Sequence, residues 1–543
     1  MKRRDHIKGL MLLPLAGSAL PMNSIMAATG TSPDDSSSGT DPKSPKPNIF
    51  QSIGVEPIIN CRGTFTIIGG SIERPEVRAA MEAASKNFVQ YDELADGIGK
   101  RLAEVTGAEW GMVSAGCAAG MKHVTAACVT GGNPEKLIRI PNLEGFDKTE
   151  VIIPRHSRNT YDHAIRNIGV KVITVDTMEE LENAINPKTA MIYLMAFDVA
   201  SSEAISLEAV AKLATPKNIP IMVDAAAEDL TIPSVHLQRG ATVVVYSGGK
   251  AICGPQCAGL VLGRKDILMS AWQASSPHHG PGRDNKVGRE EMMGMLAAVE
   301  AWIARDHAAE WKRWLTWLDT IDKRVTKIDG IKTSVKEPTD LSNRSPVLVI
   351  SWDPDKLNIT GEEVAEDVGR NKPRIALGGH TDGGTTSIHI TTGQMQPGQE
   401  KIVADRLFDL LSQKRSPRST AMAAPSSTVT GRWDVTVEFF SSKSQHTLIM
   451  EQDGNWIQGS HQGDLSTRDM VGTLEADQIK IRSVDRHTAD SITFIFSGTV
   501  SGDAMSGQIY MGEYRTATFT AKRHVFRTVR QKITVPGGPP LAT

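Results

Sequence analysis

Between residue 48 and about residue 290 the chain alternates short apolar runs with segments whose apolar residues recur every three or four positions. Residues 151–153, 170–175, 191–194, 219–223 and 242–246 are dominated by apolar and β-branched side chains and read as buried strands. Residues 178–185 and 207–214 carry the helical period between them. This alternation predicts an α/β domain with a largely parallel sheet covered on both faces. Residues 288–328 set Met292, Met295, Leu296, Val299 and Trp302 at helical spacing, which predicts a long connecting helix or helix pair whose stripe is core. A smaller α/β unit is expected from Ile331 to about Leu411, then a Ser/Pro/Ala-rich linker at 412–428.

The period then changes to two. Trp433, Val435, Val437 and Phe439 alternate with Asp434, Thr436 and Glu438, the mark of a strand with one buried face. Later β-runs, with turns at Asp453-Gly454 and Gly502-Asp503, predict an antiparallel, barrel-like or sandwich domain over 429–524, with a tail at 525–543. Its histidines, His446, His461 and His487, are separate in sequence and are expected at the surface.

At the other end, Lys2-Arg3-Arg4 precedes a weakly apolar stretch from Gly9 to Met22 and then Ala27-Ala28. That order predicts an export signal at 1–28, similar to the twin-arginine type except that Lys2 stands where Ser or Thr is usual. Export to the periplasm is the corresponding expectation. Pro14 and Pro21 argue against a spanning helix, and residues 29–47 read as a flexible linker. With 60 basic and 62 acidic residues the net charge is −2, which excludes a broad nucleic-acid footprint. Five scattered cysteines make no disulfide framework, and Cys253 and Cys257 lack the partners a zinc site needs.

The chemistry concentrates at strand ends. Ser247-Gly248-Gly249-Lys250 follows the run at 242–246, so a lysine leaves a buried strand through glycines that admit a bulky group. A primary amine is the side chain that condenses with an aldehyde, which points to pyridoxal phosphate. A nucleotide P-loop is excluded, because Val244 and Ala251 stand where its first glycine and its hydroxyl residue belong. Asp224 ends the run at 219–223, 26 residues before Lys250, where a carboxylate can face a pyridinium nitrogen or cap the next helix. Earlier, residues 111–121 pass from an apolar run through Gly116, Cys117 and Ala118 into an Ala-rich helix. The free N–H groups there suit a phosphate, and Ser247 can add its hydroxyl.

Gly54-Val55-Glu56-Pro57-Ile58-Ile59-Asn60, Asp224-Ala-Ala-Ala-Glu228, Ser247-Gly-Gly-Lys250 and Gly254-Pro255-Gln256, in this order, resemble fold-type-I pyridoxal-phosphate enzymes. The particular resemblance is to the branch that includes selenocysteine synthase and D-glucosaminate-6-phosphate ammonia-lyase, over about residues 48–415. It implies a large cofactor domain at 48–290, a small domain at 291–411, and a homo-oligomer of at least two copies. It also implies that His156, at a strand end, stacks on the cofactor ring; Arg374, in Lys372-Pro373-Arg374-Ile375 of the small domain, is a candidate for a substrate carboxylate, with a solvated arginine the plainer reading. The C-terminal domain resembles lipocalin-like accessory domains. The implied reaction is a lyase reaction on an amino acid or amino sugar acid: Lys250 takes the α-proton, Asp224 supports the protonated ring nitrogen, and ammonia is released. The same residues would serve an aminotransferase, and a non-catalytic binding protein on this scaffold is the alternative of another class.

Overall fold

The computed structural model describes residues 48–196, 205–417, 421–526, 532–535 and 537–538. The expected export signal and the linker at 29–47 lie outside the described residues. Up to Glu56 the described chain is a short unit of its own, with one 3-10 turn at Gln51–Ile53 closed by Gly54.

From Pro57 onward the predicted α/β domain is present. Its strands are β1 (Trp110–Ser114), β2 (Glu150–Pro154), β3 (Lys171–Val175), β4 (Thr189–Met195), β5 (Ile221–Asp224), β6 (Val243–Ser247) and β7 (Gly259–Gly263). They form one seven-stranded sheet in the order β1-β7-β6-β5-β4-β2-β3. Only β7 runs antiparallel to its neighbours; the other pairings are parallel. The central strands are buried up to their last residues, which is why they read as apolar runs. Helix α1 (Cys117–Thr130) crosses this sheet and is buried all round except at Ala118 and Cys128, so its sequence is small and apolar without a polar stripe.

Two helices, α2 (Arg289–Ala304) and α3 (His307–Val325), make the expected connection. They lead to an antiparallel sheet of β8 (Lys332–Lys336), β9 (Val347–Trp352), β10 (Gly378–Asp382) and β11 (Thr385–Thr391), in the order β10-β11-β9-β8. Ile59–Asn60 pairs in parallel with Ile375–Ala376, and Cys61 enters this smaller core. The segment that follows turns back to the large domain, where Ser71 N–H donates to the Gly249 carbonyl at 3.0 Å.

The C-terminal domain is a closed barrel of eight antiparallel strands: β12 (Gly431–Glu438), β13 (Lys443–Asp453), β14 (Trp456–Gln462), β15 (Thr467–Glu475), β16 (Gln478–His487), β17 (Asp490–Ser501), β18 (Ala504–Met511) and β19 (Tyr514–Arg523). Closure satisfies every edge. Trp433, Phe496 and Phe519 fill the interior. Two of the three histidines are not at the surface. His446 and His461 are buried inside the barrel, His446 Nδ1 lies 2.9 Å from His461 Nε2, and His461 Nδ1 meets Ser483 Oγ at 2.7 Å. The inward side of each strand is set by the pleat, and at one end of this barrel it is polar. His487 is exposed, as expected.

Candidate active site

Asp224 ends β5 with its side chain buried. Its neighbours in register are Met195 on β4 and Val245 on β6, so the carboxylate stands at the C-terminal edge of the sheet's middle. Both oxygens are held. Tyr193, on β4, donates its hydroxyl to Asp224 Oδ2 at 2.9 Å, and Ala226 N–H donates to Oδ1 at 3.0 Å. The Cys117 thiol approaches Oδ1 at 3.6 Å. Burial pushes the Asp224 carboxyl up, while these donors and the nearby Lys250 charge pull it down. Two fixed donors and a lysine charge close by thus hold a buried acid at the sheet edge.

Lys250 leaves β6 through Gly248 and Gly249, as the motif implied. The glycines are required by contact. A Cβ on Gly248 would lie 2.7 Å from the Ala258 carbonyl oxygen, and one on Gly249 would lie 2.9 Å from the Gln256 Cα. Arg305 braces the turn, with its guanidinium donating to the Ala251 and Ile252 carbonyls at 3.4 Å each and lying 4.7 Å from the Trp302 ring centre. Ser247 is the last residue of β6, beside this turn.

Gly116 caps α1 with φ +86°, a conformation that favours glycine. The first intrahelical bond runs from Gly120 N–H to the Gly116 carbonyl, so the N–H groups of Cys117, Ala118 and Ala119 have no intrahelical acceptor. Buried Cys117, exposed Ala118 and Asp224 thus come together at one sheet edge. His156 follows β2 in a half-buried 3-10 turn, and burial lowers its pKa. The next turn supplies Asn159, whose amide donates to the Tyr193 hydroxyl at 3.0 Å. Arg374 is not brought to the cavity beside Lys250; its Nε donates to the Gly369 carbonyl at 2.7 Å.

That cavity, of about 1140 Å³, is lined by Lys250, Arg62, Asp229, Arg344, Trp311 and Glu513 among others. The Arg62 guanidinium lies 4.7 Å from the Phe65 ring centre and has no carboxylate partner among the described residues. Asp229 is pushed up to about 6 by burial, opposed by Arg344 at 3.8 Å. Sequence reasoning passed over Tyr193, Arg62, Asp229 and Arg344. Tyr193 alone left a signal, as a polar-tipped side chain in an otherwise aliphatic strand.

The residues fit pyridoxal phosphate: an amine at the cavity wall, a buried acid for the ring nitrogen, and N–H groups without an intrahelical acceptor at the start of α1 for the phosphate. Comparison with known proteins agrees. The family described as Cys/Met metabolism PLP-dependent enzymes matches residues 94–304. D-glucosaminate-6-phosphate ammonia lyase of Salmonella typhimurium is 30% identical over 300 residues, 54% of this chain and 79% of the relative. A solved structure of D-glucosaminate-6-phosphate ammonia-lyase, 25% identical, superposes with a TM-score of 0.59 and covers 67% of this chain and 98% of its own. The 5'-C-glycyluridine monooxygenase-decarboxylase of a Streptomyces species is 28% identical over 386 residues, 67% of this chain and 92% of the relative. L-seryl-tRNA(Sec) selenium transferase of Proteus mirabilis is 24% identical over 284 residues, 46% of this chain and 56% of the relative. The chain belongs to the fold-type-I pyridoxal-phosphate-dependent enzymes, in the family of D-glucosaminate-6-phosphate ammonia lyase.

Proposed function

We propose that the protein is a lyase that removes the α-proton and a β-leaving group from an amino acid or amino sugar acid and releases ammonia. The observation that carries this is the buried Asp224, fixed by Tyr193 and Ala226 within reach of the Lys250 charge. Bound pyridoxal phosphate supplies an electron sink for the pair left when the α-proton departs. Asp224 would hold the ring nitrogen of the bound cofactor, and Tyr193 and Ala226 keep its oxygens from turning away. Lys250 carries the proton from the α-carbon. Arg62 offers its charge to an acid group of the substrate, and Asp229 orients Arg344 at the same wall. When a β-hydroxyl leaves as water, the enamine product hydrolyses to a 2-oxo acid and ammonia, so water is lost and regained. Ammonia released over many turnovers without an added 2-oxo acid supports the lyase. Turnover that stops after one equivalent and resumes with a 2-oxo acid would make it an aminotransferase.

The proposal extends to place and assembly. The Arg3-Arg4 segment supports export by the twin-arginine route, which carries folded, cofactor-loaded proteins. Loss of periplasmic protein in a host without that route is the check. Exposed Phe65, Ile67, Ile72 and Phe88 support an assembly of at least two copies, to be measured as mass by light scattering. Among the described residues no helix is long and apolar enough to cross a membrane.

A further inference from the structure

The solved ammonia-lyase structure covers nearly all of its own chain but leaves about a third of this one without a counterpart. The eight-stranded barrel is an addition in search of a role. Its interior is filled with side chains, so the role belongs to its rim. Two hairpins at one end of the barrel carry the relevant contacts. At the turn between β16 and β17, Asp490 Oδ1 accepts from the Thr160 hydroxyl at 2.7 Å and Asp490 Oδ2 accepts from Arg166 Nη2 at 3.2 Å. Thr160 also reaches the Ala489 carbonyl at 3.3 Å. These bonds grip the segment of the large domain that builds the site: Asn159 holds Tyr193, and Tyr161 lines the cavity.

The second hairpin joins β18 to β19 through Gly512, at φ +65°, and Glu513. Glu513 is exposed, lines the same cavity as Lys250, and its carboxylate has no hydrogen-bond or ion-pair partner among the described residues. A carboxylate facing a substrate cavity repels the substrate's acid group, which Arg62 attracts instead. With the substrate's α-amino group directed to the cofactor that Lys250 would hold, Glu513 is left to face a donor elsewhere on the substrate.

We infer that the barrel closes one side of the active-site cavity within the same chain, and that Glu513 is a specificity-determining residue accepting a hydrogen bond from a substrate hydroxyl or second amino group. This rests on the lyase reading above and narrows it to acids with a polar, donor-bearing chain, as in a sugar acid, over plain aliphatic amino acids. Glu513 touches no reacting atom, so its removal is expected to act on substrate affinity and preference.

The test uses the full-length holoenzyme and two six-carbon probes of matched configuration at carbon 2, D-glucosaminate and 2-aminohexanoate. Binding of each is titrated through the change it causes in the cofactor's visible band, in the natural protein and in Glu513→Leu and Glu513→Gln. The natural protein is expected to prefer D-glucosaminate by about tenfold or more, the size of one hydrogen bond to a charged group. Glu513→Leu removes that preference, while Glu513→Gln, which still accepts, retains part of it. A preference that survives in Glu513→Leu, or its absence from the natural protein, overturns the inference and leaves the lyase reading standing. A band that responds to no amino acid at all defeats the lyase reading and this inference together.

Discussion

At the scale of single residues the site is a contest over one buried carboxylate. Burial of Asp224 raises its carboxyl, and the Tyr193 and Ala226 donors with the nearby Lys250 charge oppose that and hold it in place. Asp224→Asn keeps the shape and loses the charge; its kcat is expected to fall by about a hundredfold or more, with cofactor still bound, as followed by ammonia release. Tyr193→Phe removes one neutral donor and is expected to cost about tenfold in kcat. Asp229, with a carboxyl near 6, supplies a pH test. Its ionised form orients Arg344, so kcat/KM is expected to fall as pH drops through about 6, and the Asp229→Asn variant should lose that limb. Lys250 and Asp224 were legible in the sequence because each ends an apolar run among small residues. Arg62 and Arg344 were not, because their neighbours are fixed by strand order and loop paths, and Tyr193 showed only as a polar tip in an aliphatic strand. Arg374 shows the same limit from the other side, since nothing in its flanking residues tells that its guanidinium turns to Gly369.

At the scale of elements, the start of α1 is held by the packing of β7 beneath it. A Cβ on Gly259 would lie 2.4 Å from the Gly116 carbonyl carbon and 2.6 Å from Cys117 N. Gly259→Ala therefore has to push the helix start away from the sheet edge. A loss of about tenfold or more in pyridoxal-phosphate affinity is expected, measured by titrating the cofactor-free protein, with the fold intact by circular dichroism. A variant that binds cofactor normally would separate the phosphate from this helix. Strand and helix periods were readable here because each element buries a whole face or both. Two of the barrel's histidines were misread for the opposite reason: Leu448 pairs with His461 across β13 and β14, and only that register brings His446 alongside.

At the scale of the molecule, a two-domain enzyme body and a closed barrel are joined in one chain, with Asp490 and Glu513 at their meeting. The barrel also carries a built-in sensitivity to acid. His461 is held neutral, its pKa lowered from 6.5 to about 3 chiefly by burial. Unfolding lets it take a proton, so its contribution to stability is full above about pH 6.5 and is lost as pH falls towards 3. Hydrogen-exchange protection of the barrel strands, corrected for intrinsic rates, is expected to decline from pH 7 to pH 4. His461→Gln should be less protected at pH 7 but flatter across that range. The measurement that bears most directly on the whole account is the visible spectrum of the purified protein and of Lys250→Ala, before and after borohydride. A yellow band, abolished by borohydride with the cofactor's mass fixed on Lys250 and no such fixation in the variant, is the predicted result. A protein that stays colourless with added pyridoxal phosphate, or fixes it at another lysine, contradicts it.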